Sequence, residues 1–226
     1  MNAPARGAAA RAPVRPQALA TRLRRALLAS PASRPVVFVL ALTPLGLLVW
    51  RGLSMRLGAN PEQAVIWTTG LWALRLLMLT LAVTPLRQLS GWSELARFRR
   101  MLGLFALFYV LLHFFCYFAL VNDFSWRRVL QDAAIHPFVL AGFSALLLLL
   151  PLAATSTQGM IRRLGAARWR ALHRLVYLIG VLAVFHYWWG KLAKNNTADP
   201  KGYALLLALL LGWRLAYALR RRLRRG

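Results

Sequence analysis

Three of the four histidines in this chain, His113, His173 and His186, fall inside long apolar segments, and His136 lies at the edge of another. An imidazole surrounded by hydrocarbon needs a metal ion, a proton to relay or a hydrogen-bonding neighbour. Neutral imidazole is also the commonest metal ligand among side chains. The residue types therefore point to metal binding or proton transfer within a set of apolar helices.

Six apolar segments are long enough to cross a bilayer as helices. They cover residues 36–53, 64–86, 101–121, 133–152, 172–190 and 203–219. Of the 226 residues, 59% are hydrophobic and 15% are charged, whereas roughly 25% are charged in an average soluble domain. We therefore predict an all-α integral membrane protein built as a six-helix transmembrane bundle.

The net charge of +25 would suggest nucleic-acid binding in a soluble protein. Here the basic residues lie mainly between the spans, which predicts contact with membrane lipid and no nucleic acid. Of these residues, 21 fall on the side of the two termini and seven on the other side, together with four of the five acids. The positive-inside rule then predicts that both termini are cytoplasmic.

The composition predicts three regions. Residues 1–35 are rich in Ala, Arg and Pro and lack the apolar core of a signal peptide, so we expect a disordered basic cytoplasmic tail. Residues 36–219 form the six-span domain, and residues 220–226 form a second basic cytoplasmic tail. The single cysteine, Cys116, excludes an internal disulfide and a cysteine-ligated metal site.

The depth of each histidine follows from a helical rise of 1.5 Å per residue. His113 lies about 20 Å from Arg100, and His186 lies about 24 Å from Arg170, at the same membrane boundary. Two imidazoles at one depth on facing helices are what a bis-histidine haem requires in a helix bundle. His173 is only about 5 Å from that boundary, where a second cofactor could bind.

Two details leave alternatives open. At 100° per residue, His173 and His186 point about 140° apart, so either they serve different cofactors or the helix is distorted near Gly180. Small residues at helical spacing accompany His113, which could admit a flat macrocycle or simply pack helices together. This stripe consists of Gly103, Ala106, Val110, His113 and Tyr117.

Arg75 is also energetically costly to place in a bilayer, because its charge falls in the middle of the second span and no carboxylate lies within the spans to pair with it. An anionic cofactor group such as a haem propionate could supply its partner. Alternatively, Arg75 is structural and bonds backbone carbonyls or extends toward the interface. His136 precedes Pro137 at the outer end of the fourth span, where we expect a hydrated interfacial side chain.

Short motifs along residues 60–217 carry a family resemblance: Leu71-Trp72-Ala73-Leu74-Arg75, Thr84-Pro85-Leu86-Arg87, Arg162-Arg163-Leu164-Gly165, Leu172-His173-Arg174-Leu175-Val176-Tyr177 and Leu211-Gly212-Trp213-Arg214. With them the chain resembles the MsrQ (YedZ) family. These proteins are the haem-binding membrane subunits of the bacterial periplasmic protein-methionine-sulfoxide reductase system, within the ferric reductase-like transmembrane group.

The resemblance implies a multi-pass protein of the bacterial inner membrane that holds one or two b-type haems. It implies electron transfer from a cytoplasmic flavin reductase or the quinone pool to a periplasmic molybdopterin-containing methionine-sulfoxide reductase, which repairs oxidised proteins. His113, His173 and His186 stand where the family keeps its haem-related histidines, as metal ligands. The family's association with FMN implies a flavoprotein, and no residue here is assigned to that cofactor.

The chain departs from the broader ferric reductase group in two ways. That group usually has two histidines on the third span, but Arg99 and Arg100 occupy the inner position here, so the second ligand beside His173 is missing. No glycine-rich phosphate loop follows a strand, so we expect an electron-transfer subunit without a catalytic domain of its own. The alternatives are a small membrane transporter or proton-coupled channel using its intramembrane histidines, or a structural anchor.

Overall fold

The computed structural model describes residues 26, 28–192 and 198–224. Most of the predicted N-terminal tail and the last two residues of the predicted C-terminal tail therefore lie outside the described residues. Within them the chain is helical without strands, and six helices are long and apolar enough to cross a membrane. The prediction of an all-α six-helix bundle is confirmed.

Nine α-helices make up the described part of the chain. They are α1 Ser33–Leu53, α2 Pro61–Ser90, α3 Arg99–Cys116, α4 Trp126–Ile135, α5 Pro137–Ala154, α6 Gln158–Leu164, α7 Ala166–His173, α8 Leu175–Leu192 and α9 Ala198–Leu223. A 3₁₀ turn at Ser93–Phe98 precedes α3, and a π-helical turn at Tyr117–Val121 extends it. The first helix begins a few residues before the predicted span 36–53 and ends with it. The last helix extends a few residues beyond the predicted span 203–219 at both ends.

The six long helices, α1, α2, α3, α5, α8 and α9, alternate in direction because each crosses the bundle and is joined to the next by a short segment. Helices α1, α3 and α8 begin at the end of the bundle where α2, α5 and α9 finish. We call this the basic end, since it carries most of the arginines between and beyond the spans. The other end is called the mouth end below.

The predicted fourth span, residues 133–152, was wrong at its start. The structure ends α4 at Ile135 and begins α5 at Pro137, with the backbone of His136 extended between them. A residue before proline is driven out of the helical region, and proline itself fits the first turn of a new helix. The apolar residues 133–135 therefore belong to a separate short helix at the mouth end.

The fifth span is also divided, but not near Gly180, where a distortion was one of the two alternatives. The interruption falls at Arg174, between α7 and α8, whereas α8 runs without a break through Gly180. A Cβ on Gly180 would lie 3.2 Å from Leu207 of α9 and 3.4 Å from Leu81 of α2. Gly180 thus serves close helix packing, and the distortion that could turn His173 relative to His186 occurs beside His173 itself.

Two helix pairs make the most extensive contacts in the bundle, α2 with α3 and α5 with α8. Their contact surfaces supply much of the core, where Ala106, Tyr109 and Ile179 are almost fully buried. Burial of small residues such as Ala106 lets helices approach closely, which is how membrane helices associate without a strong hydrophobic drive. The two pairs face each other across the middle of the bundle.

Prolines lie inside three of the spans, at Pro44, Pro85 and Pro151, and near two of them side chains from other helices bond the backbone. Near Pro44 of α1, the hydroxyl of Tyr109 donates to the carbonyl of Ala41 at 2.9 Å and accepts from the amide of Leu45 at 3.1 Å. In α2, Pro85 has no N–H for the carbonyl of Leu81. The guanidinium of Arg214, from α9, donates to that carbonyl.

Candidate cofactor site

His113 lies near the end of α3 with its ring against Gly70 of α2. Its Nδ1 is 2.9 Å from the carbonyl oxygen of Ile66. Because a carbonyl only accepts, Nδ1 carries the proton and Nε2 is the ring nitrogen that can ligate a metal. A Cβ on Gly70 would lie 2.9 Å from both Nδ1 and Cε1 of His113, so the imidazole can occupy this position only because residue 70 is glycine.

His186 repeats the arrangement in the second helix pair. Its Nδ1 is 2.7 Å from the carbonyl oxygen of Phe138 in α5, which likewise leaves Nε2 as the available ligand. A Cβ on Gly142 would lie 2.7 Å from Nδ1 of His186. In both pairs the carbonyl belongs to the residue four positions before the glycine. Each histidine is therefore fixed by one glycine and one carbonyl of its partner helix.

The two imidazoles face each other between the helix pairs. The ring centroids of His113 and His186 are 5.9 Å apart, and the planes are inclined by 79°. Two nitrogens ligating one metal ion from opposite sides are separated by about 4 Å, given metal–nitrogen bonds of about 2 Å. The centroid separation of 5.9 Å is of the size that such an arrangement requires. The depth estimate from the sequence thus correctly brought these two histidines together.

A cavity of about 840 Å³ surrounds the histidine pair and opens at the mouth end, near the upper limit of roughly 300–1,000 Å³ for cofactor sites. Its inner wall is apolar, with Val110, Ala145, Leu149 and Ile179 among the lining residues. Three carboxylates and one lysine lie on the lining nearer the mouth: Glu62, Asp132, Asp199 and Lys191. The cavity thus has an apolar interior and a charged opening.

The donor set fits haem better than a bare metal ion. Among the described residues, no group of three or more His, Cys, Asp or Glu side chains could hold a metal ion. Two imidazoles suffice for iron that brings four nitrogens of its own, as haem iron does. The apolar wall leaves space for a flat macrocycle between the helix pairs, and the two glycines make room for the imidazoles beside it.

The stripe of small residues predicted beside His113 is largely part of this cavity. Ala106, Val110 and Tyr117 line it together with the histidine. Gly103 does not, because a Cβ there would meet the methyl group of Thr80 at 3.6 Å in the packing surface between α2 and α3. The stripe therefore serves both purposes that the sequence left open, with the cavity beginning at Ala106.

His173 lies toward the basic end, away from the cavity lining. Its ring stacks on Trp169 with centroids 4.0 Å apart, and its Nε2 is 3.1 Å from the hydroxyl of Thr155. The same hydroxyl is 2.6 Å from the carbonyl of Pro151. If its only hydrogen is donated there, Nε2 of His173 is the donor to Thr155. No second histidine stands opposite, and the structure does not bring His173 to the His113–His186 pair.

Arg75 has neutral partners. Its Nε donates to the hydroxyl of Tyr203 at 3.0 Å, and its guanidinium lies 4.8 Å from the centroid of the Trp72 ring. The lining residues of α2 include Leu71 and Leu74 but not Arg75. These contacts favour a structural role for Arg75, with a tyrosine hydroxyl and an indole ring in place of the backbone carbonyls that the sequence suggested as partners.

His136 is exposed at the junction of α4 and α5, as expected for an interfacial histidine. Its Nδ1 is 2.6 Å from one carboxylate oxygen of Asp132, and the hydroxyl of Tyr117 donates to the other oxygen. Asp132 and Tyr117 both line the cavity. Both carboxylate oxygens of Asp132 are thus hydrogen-bonded to neighbours on one side of the opening.

Gly70 and Gly142 are the site residues that sequence reasoning missed. A glycine inside an apolar span usually indicates helix packing, so neither stood out. The available signal was depth. Each glycine lies within about three turns of the mouth end of its helix, as His113 and His186 do, and a glycine level with an intramembrane histidine can make room for its ring.

The chain is similar to several known proteins. The family described as ferric reductase like transmembrane component matches residues 69–184. The protein-methionine-sulfoxide reductase heme-binding subunit MsrQ of Polaromonas naphthalenivorans is 47% identical over 192 residues, covering 85% of this chain and 88% of the relative. The subunit of the same name from Ralstonia nicotianae is 49% identical over 184 residues, covering 81% and 85%.

A third relative of that name, from Bordetella pertussis, is 47% identical over 189 residues and covers 84% of this chain and 91% of its own length. No solved structure matches the chain. Identity near one half over most of both chains, together with the six-helix bundle, shows the family. The chain belongs to the MsrQ family of membrane subunits, within the ferric reductase-like transmembrane proteins.

Proposed function

We propose that this chain binds b-type haem between His113 and His186 and relays electrons through the membrane to a methionine-sulfoxide reductase partner. The name of its relatives, heme-binding subunit of a protein-methionine-sulfoxide reductase, supports both the cofactor and the partner. The observation that carries the proposal is the pair of imidazoles, 5.9 Å apart, inside an apolar cavity.

The chain's own residues hold and orient the cofactor. Haem iron, when bound, supplies a one-electron carrier whose potential depends on its axial ligands and surroundings. The carbonyls of Ile66 and Phe138 fix the tautomer of each histidine and make the imidazole a better ligand, as such hydrogen bonds do at metal sites. Ligation by two histidines leaves no position for a substrate, which suits electron transfer rather than catalysis.

The proposed orientation of the protein in the membrane follows from the charge asymmetry. With the basic end in the cytoplasm, the protein lies in the bacterial inner membrane and the cavity opens toward the periplasm. Electrons enter from a cytoplasmic flavin reductase or the quinone pool. They leave to a periplasmic molybdopterin enzyme that reduces oxidised methionines in damaged proteins.

Other parts of the sequence-based hypothesis stay predictions. Neither His173 nor Arg75 lines the cavity, so a role for His173 in cofactor binding requires a second group near the basic end, and a role for Arg75 requires a group outside this cavity. FMN has no assigned residues. The number of haems per chain therefore separates a single site at His113 and His186 from a chain with a second haem beside His173.

The proposal is tested on the full-length protein purified in mild detergent. Oxidised and dithionite-reduced absorption spectra are recorded first, and we expect a low-spin b-type haem. The reduced protein is then mixed with the reductase partner and methionine sulfoxide, and we expect the haem to be reoxidised only when both are present. A colourless protein, expressed with adequate haem supply, would contradict the proposal and favour a transporter or anchor.

A further inference from the structure

Lys191 stands out at the opening of the cavity. Among the described residues that line it, Lys191 is the only lysine or arginine. It is the fifth residue after His186 in α8, which places it about 7.5 Å farther along the helix axis toward the mouth end. A cation therefore lies on the same helix as one histidine, between that histidine and the opening.

The ammonium group of Lys191 is held by an aromatic face. Its Nζ lies 3.5 Å from the centroid of the Trp67 ring, which lines the cavity from α2. No carboxylate of the described residues forms an ion pair with it within 4.0 Å. A cation–π contact leaves N–H donors of an ammonium group available. Lys191 can thus accept an anionic partner without breaking an existing salt bridge.

The other charged side chains at the opening are carboxylates, so Lys191 is the residue there that can attract an anionic ligand. Glu62, Asp132 and Asp199 also line the cavity, so an anionic ligand would meet several negative charges there. Asp132 is already bonded to Tyr117 and His136. An ionised carboxylate is costly to bury unless a cation or hydrogen-bond donors accompany it. The apolar wall beyond Val110 and Ile179 offers neither.

We propose that Lys191 binds a carboxylate of the cofactor held by His113 and His186, and thereby determines which edge of that cofactor faces the opening. This inference rests on the proposed function, since b-type haem carries two propionate carboxylates on one edge. It assigns to Lys191 the role that sequence reasoning offered to Arg75. Arg75 bonds Tyr203 instead and does not line the cavity.

The test removes the charge of Lys191 and the charges of the haem carboxylates separately. Full-length wild-type protein and the variants Lys191→Gln, Lys191→Arg and Lys201→Gln are loaded either with haem b or with its dimethyl ester, which lacks the carboxylate charges. The rate of haem transfer to excess apomyoglobin is then measured. Lys201 is the matched control because it is an exposed lysine at the same end of the bundle that does not line the cavity.

We expect Lys191→Gln to release haem b about tenfold faster than wild type, the size expected for losing one charge-assisted hydrogen bond. Lys191→Arg should restore slow release, and Lys201→Gln should release haem like wild type. With the dimethyl ester, wild type and Lys191→Gln should release at equal rates, because the ester has no charge for Lys191 to bind.

Two results overturn the inference while leaving the proposed function intact. Equal release of haem b by wild type and Lys191→Gln would show that Lys191 contributes nothing to retention. If Lys191→Gln released haem b and its dimethyl ester faster than wild type by the same factor, Lys191 would act only through its packing on Trp67. A wild-type protein that binds neither haem contradicts the proposed function and this inference together.

Discussion

His113 and His186 are held in the same way, each by a glycine and a backbone carbonyl of the neighbouring helix, and their rings meet at the centre of the bundle 5.9 Å apart. The two contacts belong to the two most extensively packed helix pairs, α2 with α3 and α5 with α8. Helix packing and ligand placement are therefore one structural feature. A change that separates either pair also moves an imidazole.

Alanine at position 70 or 142 should impair haem binding without touching a ligand. The added Cβ would lie 2.9 Å from Nδ1 of His113 or 2.7 Å from Nδ1 of His186, so the ring must move and weaken its bond to the carbonyl. Loss of such a supporting bond typically reduces metal affinity about 10- to 100-fold. Haem per chain, measured by pyridine haemochrome at limiting haem, should fall in both variants.

Gly46→Ala and Gly212→Ala are the matched controls for that experiment. A Cβ at either position meets nothing within 4 Å, and alanine is the better helix former. Both should bind haem like wild type. If Gly70→Ala and Gly142→Ala bind as much haem as these controls, the glycines do not position the histidines.

Tyr109→Phe should destabilise the bundle through the backbone of α1. The phenol hydroxyl bonds both the Ala41 carbonyl and the Leu45 amide beside Pro44, and phenylalanine would remove both of these hydrogen bonds from an apolar setting. Such a loss costs about 1–3 kcal/mol. Thermal unfolding in detergent measures it, with Tyr217→Phe as control because Tyr217 is 46% exposed. Equal unfolding of the two variants would contradict the interpretation.

Arg214 and Pro85 should be energetically coupled. Arg214 donates to the Leu81 carbonyl that Pro85 leaves without a helical partner. In Pro85→Ala, the new backbone N–H can take over that carbonyl, so Arg214→Gln should cost less in that background than in wild type. The difference should be about 0.5–3 kcal/mol in a double-mutant cycle of unfolding free energies. Additive effects of the two substitutions would mean that Arg214 does not replace the missing hydrogen bond.

The sequence predicted the fold and the central pair of histidines because both depend on patterns along the chain. Apolar length identifies spans, and the rise of a helix places His113 and His186 at one depth. The predicted start of the fourth span was wrong because residues 133–135 are apolar, although Pro137 marks where a new helix begins. Composition cannot separate a short apolar helix from the span that follows it.

Contacts between helices could not be predicted in the same way, because they depend on which faces meet. Depth can place Gly70 level with His113, but the sequence does not show that these two helix faces meet, or that Arg75 turns toward Tyr203. The role of Lys191 was equally hidden, since a lysine at the end of a span usually lies in water at the interface. These features follow from the rotation and pairing of the helices, which a single sequence does not specify.

Haem content of histidine variants tests the central claim most directly. His113→Ala, His186→Ala and His136→Ala are purified in detergent, checked by size-exclusion chromatography for an intact monodisperse fold, and compared with wild type by reduced-minus-oxidised spectra and haem per chain. The account predicts that His113→Ala and His186→Ala lose the low-spin b-type spectrum, while the exposed His136→Ala keeps it. A full spectrum and unchanged haem per chain in either His113→Ala or His186→Ala would contradict it.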